Sequence, residues 1–226
     1  MTFSEIKYER VDMEALKAEL SALTERLAAA RDFAEAAFLA ANELEGRTVR
    51  TMRTVAQIRR DIDTRDEFYD AEMKFYNREL PKVQALKQQW INTLLDSPFR
   101  AALEEKYGEV PFLNAELQSR TFKPELVEDL QKENELVSRY TKLIASAQIP
   151  FEGEMRTISQ MEPWKLSTDD DVRRAAWKAE GKWYRDQGKE LDAIYDELVA
   201  LRDGMGRKLG HNGYTPLGYD RMKRNC

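Results

Sequence analysis

Residues 13–44 read MEALKAELSALTERLAAARDFAEAAFLAANEL, and this stretch decides the fold. Its apolar positions are Met13, Leu16, Leu20, Leu23, Leu27, Ala30, Ala34, Ala37, Ala41 and Leu44, with spacings that alternate between three and four. Such spacing puts every one of them on a single face and predicts one continuous amphipathic helix. Leucine gives way to alanine halfway along, so a partner helix can approach more closely at that end. Gly46 stands where a helix stop is expected.

The surrounding chain extends the same reading. Residues 1–80 contain no proline, and residues 1–107 hold a single glycine, Gly46. A second apolar series, Met52, Val55, Ile62, Tyr69, Met73, Tyr76 and Leu80, is expected to end at Pro81. The two segments predict an antiparallel hairpin of helices, each about thirty residues long. A shorter helix follows, with Val83, Leu86, Trp90 and Leu94 inward, and then another over Phe99–Tyr107 that stops at Gly108. Lys123–Ser146 is a further helix. Residues 147–160 carry Pro150, Gly153 and β-branched side chains and predict a small hairpin. Ser167-Thr-Asp-Asp-Asp171 supplies a cap and an acidic first turn for another long helix with Val172, Ala176, Ala179, Trp183, Leu191, Ile194, Leu198, Leu201 and Met205 on its apolar side. Gly181 and Gly188 inside it are expected to mark close packing by a neighbour. Five glycines fall between Gly204 and Gly218, ahead of a new amphipathic start at Leu217–Met222. The fold class is mainly α, built of long antiparallel helical hairpins with one small β element. An N-terminal hairpin region is expected over 1–110 and a second helical region over 111–226.

Composition sets the function classes. The 226 residues are 42% hydrophobic and 34% charged, which excludes simple disorder and suits long solvated helices. The net charge of −5, with both signs spread along the chain, gives no electrostatic case for nucleic acid or an anionic membrane as partner. The N-terminus shows no signal peptide and no segment is apolar enough to span a bilayer. One cysteine, Cys226, excludes an internal disulfide framework and fits a cytoplasmic setting. One histidine, His211, excludes any site that needs two imidazoles from this chain.

Each chemically suggestive group has a plainer alternative. His211 lies between Gly210 and Asn212 in a turn, the setting of a solvated or backbone-bonded histidine. Asp169–Asp171 lack the alternate oxygen spacing of a hard-cation loop and read as helix capping. Glu152 and Glu154 flank Gly153 as exposed hairpin charges rather than a catalytic carboxylate pair. Arg47, Arg50, Arg53, Arg59, Arg60 and Arg65 could form a phosphate-binding face. Asp61, Asp63 and Asp66 interleave with them, so a solvated face with intrahelical ion pairs is the expectation. Trp164, Trp177 and Trp183 could line a peptide groove, but core packing is the simpler reading. Gly204-x-Gly206 lacks the strand and third glycine of a dinucleotide loop. No residue is singled out as catalytic, metal-binding or cofactor-binding.

Two blocks are more specific. Phe151-Glu-Gly-Glu-Met-Arg-Thr-Ile-Ser-Gln-Met-Glu-Pro-Trp164, with Ser167-x-Asp-x-Asp-Val-Arg-Arg-Ala-Ala-Trp177, resembles a segment of the oligoendopeptidase F family. Leu201-Arg-x-x-x-Gly206-Arg-Lys-Leu-Gly210, with Tyr214-x-x-Leu-Gly-Tyr-x-Arg-Met222, resembles the stretch that follows the long helix there. Ile62-Asp-Thr-Arg-Asp-Glu-Phe-Tyr69 fits as well. The resemblance implies a mainly helical zinc oligopeptidase, related to thimet oligopeptidase, with a deep channel for short peptides. It implies zinc held by the two histidines of H-E-x-x-H and a later glutamate, with the motif's glutamate activating the metal-bound water. A chain with one histidine has no such motif, so none of those residues transfers to a position here. The expectation is a non-catalytic N-terminal portion that walls the peptide channel and lacks its C-terminal catalytic partner, with zinc confined to a full-length member. Oligopeptides would be bound by the complete enzyme, and an uncovered apolar face would favour self-association. The alternative is a free-standing helical interaction module without activity.

Overall fold

The computed structural model describes residues 3–41 and 47–224. Leu44, Gly46 and Cys226 lie outside them. Helix α1 (Met13–Ala28) begins where the Asp12 side chain accepts hydrogen bonds from Glu14 N and Ala15 N, both at 3.0 Å. That cap satisfies two of the amides that a helix start leaves open. Met13, Leu16, Leu20, Leu23 and Leu27 are all buried, as the spacing requires.

The expected continuous helix then divides. Asp32 opens a second helix, α2 (Phe33–Ala41), accepting from Glu35 N at 2.9 Å while Glu35 Oε2 accepts from Arg31 N at 3.1 Å. This reciprocal cap starts a new helix and resets the face. Ala34 is consequently exposed, whereas Ala36, Ala37 and Leu39 are buried.

Helix α3 (Arg47–Ile62) and helix α4 (Glu67–Leu95) meet at a short turn. Ile62 is the last residue of α3 and is 75% exposed, not inward. Pro81 does not end a helix either: α4 runs through it for 29 residues and absorbs the expected shorter helix that follows. Proline has no N–H, so the Asn77 carbonyl four residues back loses its helical donor. Asn134 Nδ2 supplies a replacement at 3.1 Å, and Gln131 Nε2 donates to the adjacent carbonyl, Arg78 O, at 2.7 Å. Both donors stand on α7 (Val127–Ala145), which packs across α4. Asn134→Leu is therefore expected to destabilise the fold by about 1–2 kcal/mol through an orphaned carbonyl. In a Pro81→Ala background, where residue 81 regains its N–H, the loss should shrink to a small fraction. Urea midpoints that drop equally in both backgrounds would refute this coupling.

The N-terminal core joins α1, α3 and α4 through Met13, Leu16, Leu20, Ala56, Met73 and Tyr76. Helices α5 (Arg100–Tyr107) and α6 (Val110–Arg120) close a second core around Leu23, Leu39, Leu94, Leu103 and Phe112. Ahead of α1, Tyr8 and Arg10 are anchored on the buried Glu72, which accepts from the Tyr8 hydroxyl and from Arg10 Nε at 3.0–3.1 Å. The Arg10 guanidinium holds the Glu72 carboxyl below the usual carboxylate range.

After α7 comes the expected hairpin, β1 (Ile149–Phe151) against β2 (Glu154–Arg156), with Ile149 opposite Arg156. Its two-residue turn holds Glu152 at φ 52° and Gly153 at φ 81°, the positive pair that suits the right-handed twist of the strands. Helix α8 (Glu162–Lys165) leads to α9 (Asp170–Asp186), α10 (Gly188–Lys208) and α11 (Tyr214–Arg221). The long helix expected from residue 170 is thus two, joined at Gln187. Gly188 opens the second, and a side chain there would meet nothing within 4 Å; Gly181 faces only the end of Arg185. Neither glycine marks close packing. Among the described residues, no helix is long and apolar enough to cross a membrane.

Candidate functional site

A cleft of about 620 Å³ runs along α4, between α3 and α6 on one side and α7 and α11 on the other. The Pro81 region forms its floor together with Tyr76, Leu80 and Phe122. Four side-chain amides line the walls: Asn77, Gln84, Gln118 and Asn134. Each amide offers a donor and an acceptor, the pair that a peptide backbone needs. Arg50, Arg53, Arg221 and Lys223 add positive charge at the rim, against Glu133 and Asp220.

Glu133 organises one end. It accepts from Arg202 Nε at 2.7 Å and from Arg221 Nη1 at 3.1–3.2 Å. The Tyr214 ring lies beside both guanidiniums, at 5.6 and 5.9 Å. This clamp ties α7 to α10 and α11, and Glu133 is engaged by two cations rather than poised for proton transfer. A second groove, about 510 Å³, lies between α7 and α10 and is lined by Val137, Tyr140, Tyr195 and Leu198. Tyr195 is 68% exposed there. Among the described residues that line these two surfaces, none is a nucleophile with a base beside it.

The donor set does not fit a zinc centre. His211 sits on the turn after α10, where its own N–H donates to Gly206 O at 3.0 Å. Among the described residues, no three His, Cys, Asp or Glu side chains converge to hold a metal ion.

A profile of the Peptidase M3 N-terminal domain matches residues 3–122. The chain belongs to the Peptidase M3 N-terminal domain family. Solved structures carry the likeness across the remainder of this M3 chain. An oligoendopeptidase F crystal structure at 43% identity superposes with a TM-score of 0.94, covering 100% of this chain and 40% of its own. PZ peptidase A with an inhibitor gives 40% identity and 0.94, over 99% of this chain and 40% of its own. A third, an oligoendopeptidase F from Bacillus anthracis str. Ames, gives 38% and 0.93, over 100% of this chain and 42% of its own. The M3 chain thus spans about two fifths of the length of these structures. No curated protein matched.

The residues weighed in the sequence fall apart in space. Asp169 caps α9, accepting from Asp171 N at 2.9 Å and Val172 N at 3.2 Å. Glu154 pairs with Arg156 at 3.0 Å, and Glu152 is the first turn residue. Trp164 and Trp183 pack with Ile149, Met161 and Ala176, but Trp177 does not: it is 55% exposed, with Lys165 Nζ over its ring at 4.7 Å. Gly206 is a packing residue of the α10–α11 junction. The arginines of 47–65 do not form one solvated face. Arg59 Nη2 reaches Ile6 O at 2.7 Å, and Arg60 is buried. The amides of the α4 cleft were not singled out in the sequence, because Asn and Gln spaced over three helices carry no local pattern.

Proposed function

We propose that this chain is the non-catalytic N-terminal portion of an oligoendopeptidase F-like zinc metallopeptidase that hydrolyses short peptides in the cytoplasm. In that enzyme it walls the peptide channel. The observation that carries this reading is the likeness of the whole chain, at 38–43% identity, to two fifths of peptidase chains. The amide-lined α4 cleft supports it, since such walls suit a peptide backbone without any chemistry of their own. The catalytic zinc, its H-E-x-x-H and its ligand glutamate belong to a C-terminal portion that is this chain's obligatory partner. The apolar α7–α10 groove is where that portion, or a second copy in its absence, gains contact area.

The direct test is the reading frame beyond the Cys226 codon, expected to continue for several hundred codons and to encode H-E-x-x-H. An immediate native stop, with the short species present in cells, would overturn the proposal in favour of a free-standing interaction module. The chain alone, given zinc and a quenched fluorescent oligopeptide, is expected to show no chelator-sensitive turnover. Turnover that co-purifies with it would also overturn the proposal.

A further inference from the structure

Arg60 stands in the last turn of α3 with a side chain only 4% exposed. Its Nε and Nη2 reach Asp61 Oδ1 at 3.0 and 2.8 Å. Its Nη1 is buried and has no hydrogen-bond partner. A buried, charged donor left open costs more than a neutral one, so native folds almost always provide an acceptor. The same side chain lines a half-open cavity of about 590 Å³ between α3, α4 and α7, a size ordinary for small-molecule sites. Four more cations line it, Lys74, Arg78, Arg139 and Lys142, against two carboxylates, Asp70 and Glu135.

We propose that this cavity binds a small oxyanion, a carboxylate or a phosphate group, received by the buried guanidinium of Arg60. The lining separates this from a cation site. Asp70 is already held by Lys74 at 2.9 Å and by Lys142, so its charge is spent. Arg78 is bonded to Glu79 at 3.0 Å, and Arg139 to Glu190 at 2.6 Å and Glu197 at 3.3 Å. These pairs fix the outer cations without filling the cavity. Arg60 Nη1 is left open while Nε and Nη2 are held by Asp61, so it can give a charge-assisted hydrogen bond to one oxygen of an oxyanion. Asn77 Nδ2 bonds to Ser138 Oγ at 2.9 Å on the same wall, which bridges α4 and α7 and keeps the cavity's shape. The site neighbours the amide-lined cleft, nearer the N-terminal end of α4, and the two share Asn77; the inference does not draw on the peptidase reading.

Isothermal titration of the folded chain tests it with inorganic phosphate, with a tripeptide bearing a free C-terminal carboxylate, and with the same peptide amidated. At least one of phosphate and the free-carboxylate peptide should bind saturably, and which one does identifies the source of the anion. Amidation should abolish peptide binding. Arg60→Gln should weaken whichever anion binds by about tenfold or more. Because a buried arginine can matter for folding, Lys142→Met serves as a second variant and should weaken binding by a few fold. The proposal is overturned if neither anion binds at millimolar concentration. Affinity unchanged in Arg60→Gln, or in Lys142→Met where Arg60→Gln does not fold, overturns it equally.

Discussion

Gly206→Ala is expected to destabilise the fold by about 3 kcal/mol or more, the upper end of overpacking costs. A Cβ at residue 206 would stand 2.2 Å from Gly213 O and 2.6 Å from Gly213 C. Both are backbone atoms, so no rotamer change relieves the overlap. The turn is held on its other side as well, because Gly213 is at φ 114° and a Cβ there would meet Asp203 Oδ1 at 2.7 Å. Helix α11 would have to lift away, separating Leu217 from Met205 and Leu126 and withdrawing Arg221 from Glu133 at the end of the cleft. Gly204 is the control. One half-turn away on α10, its Cβ would meet nothing within 4 Å, so Gly204→Ala should gain up to about 1 kcal/mol from helix propensity. Urea unfolding of the two variants should move in opposite directions. Similar midpoints would show that the approach of α11 is not as close as described.

Periodicity made the helices legible and hid their ends. The Met13–Leu27 leucine series is buried throughout because a three-and-four spacing leaves a helix no other face to bury. The same spacing carried on through the alanines beyond residue 29, where alanine suits either face and fixes nothing. Asp32 and Glu35, three apart, were the available sign of a new helix start. Pro81 failed as a stop for a different reason: the acceptor it orphaned is satisfied from α7, and a donor more than fifty residues away cannot be read locally. At the hairpin the reading held, since Gly153 supplies its own conformational reason.

Of the surfaces, little was legible. Arg60 reads as one more charge in an alternating run, yet it follows Ala56 by four and Val49 by eleven, on the stripe that both bury. That offset was its only signal, and the aspartates around it argued the other way. The clamp on Glu133 draws on α7, α10 and α11, joining residues 69 and 88 positions apart, a separation that only folding closes.

Lys165→Met is expected to cost about 3–5 kcal/mol, because it strands a buried carboxylate. Lys165 and Glu180 side chains are each 8% exposed. Nζ bonds to Glu180 Oε1 at 3.2 Å; Oε2, at 3.0 Å, lies off the hydrogen-bond direction and is held by charge alone. Glu162, 58% exposed, is the second partner at 3.0 Å, and the Trp177 ring covers the ammonium from outside. The bond to Glu162 raises the Lys165 pKa above its ordinary 10.5, burial opposes this, and the bond to Glu180 adds to the rise. A raised folded value means the contribution is complete below pH 10.5 and fades only as pH climbs through the folded value above it. The deficit of Lys165→Met should therefore be constant from neutral to mildly alkaline pH and diminish at strongly alkaline pH. Replacing both partners, Lys165→Met with Glu180→Leu, should recover most of the loss, since an apolar pair of similar volume avoids the desolvation that the ion pair bears. Glu162→Gln alone should cost about 1 kcal/mol or less, its carboxylate being exposed. A double variant as unstable as Lys165→Met would mean that the lysine stem packed on Trp177, not the charge pair, holds α8 against α9.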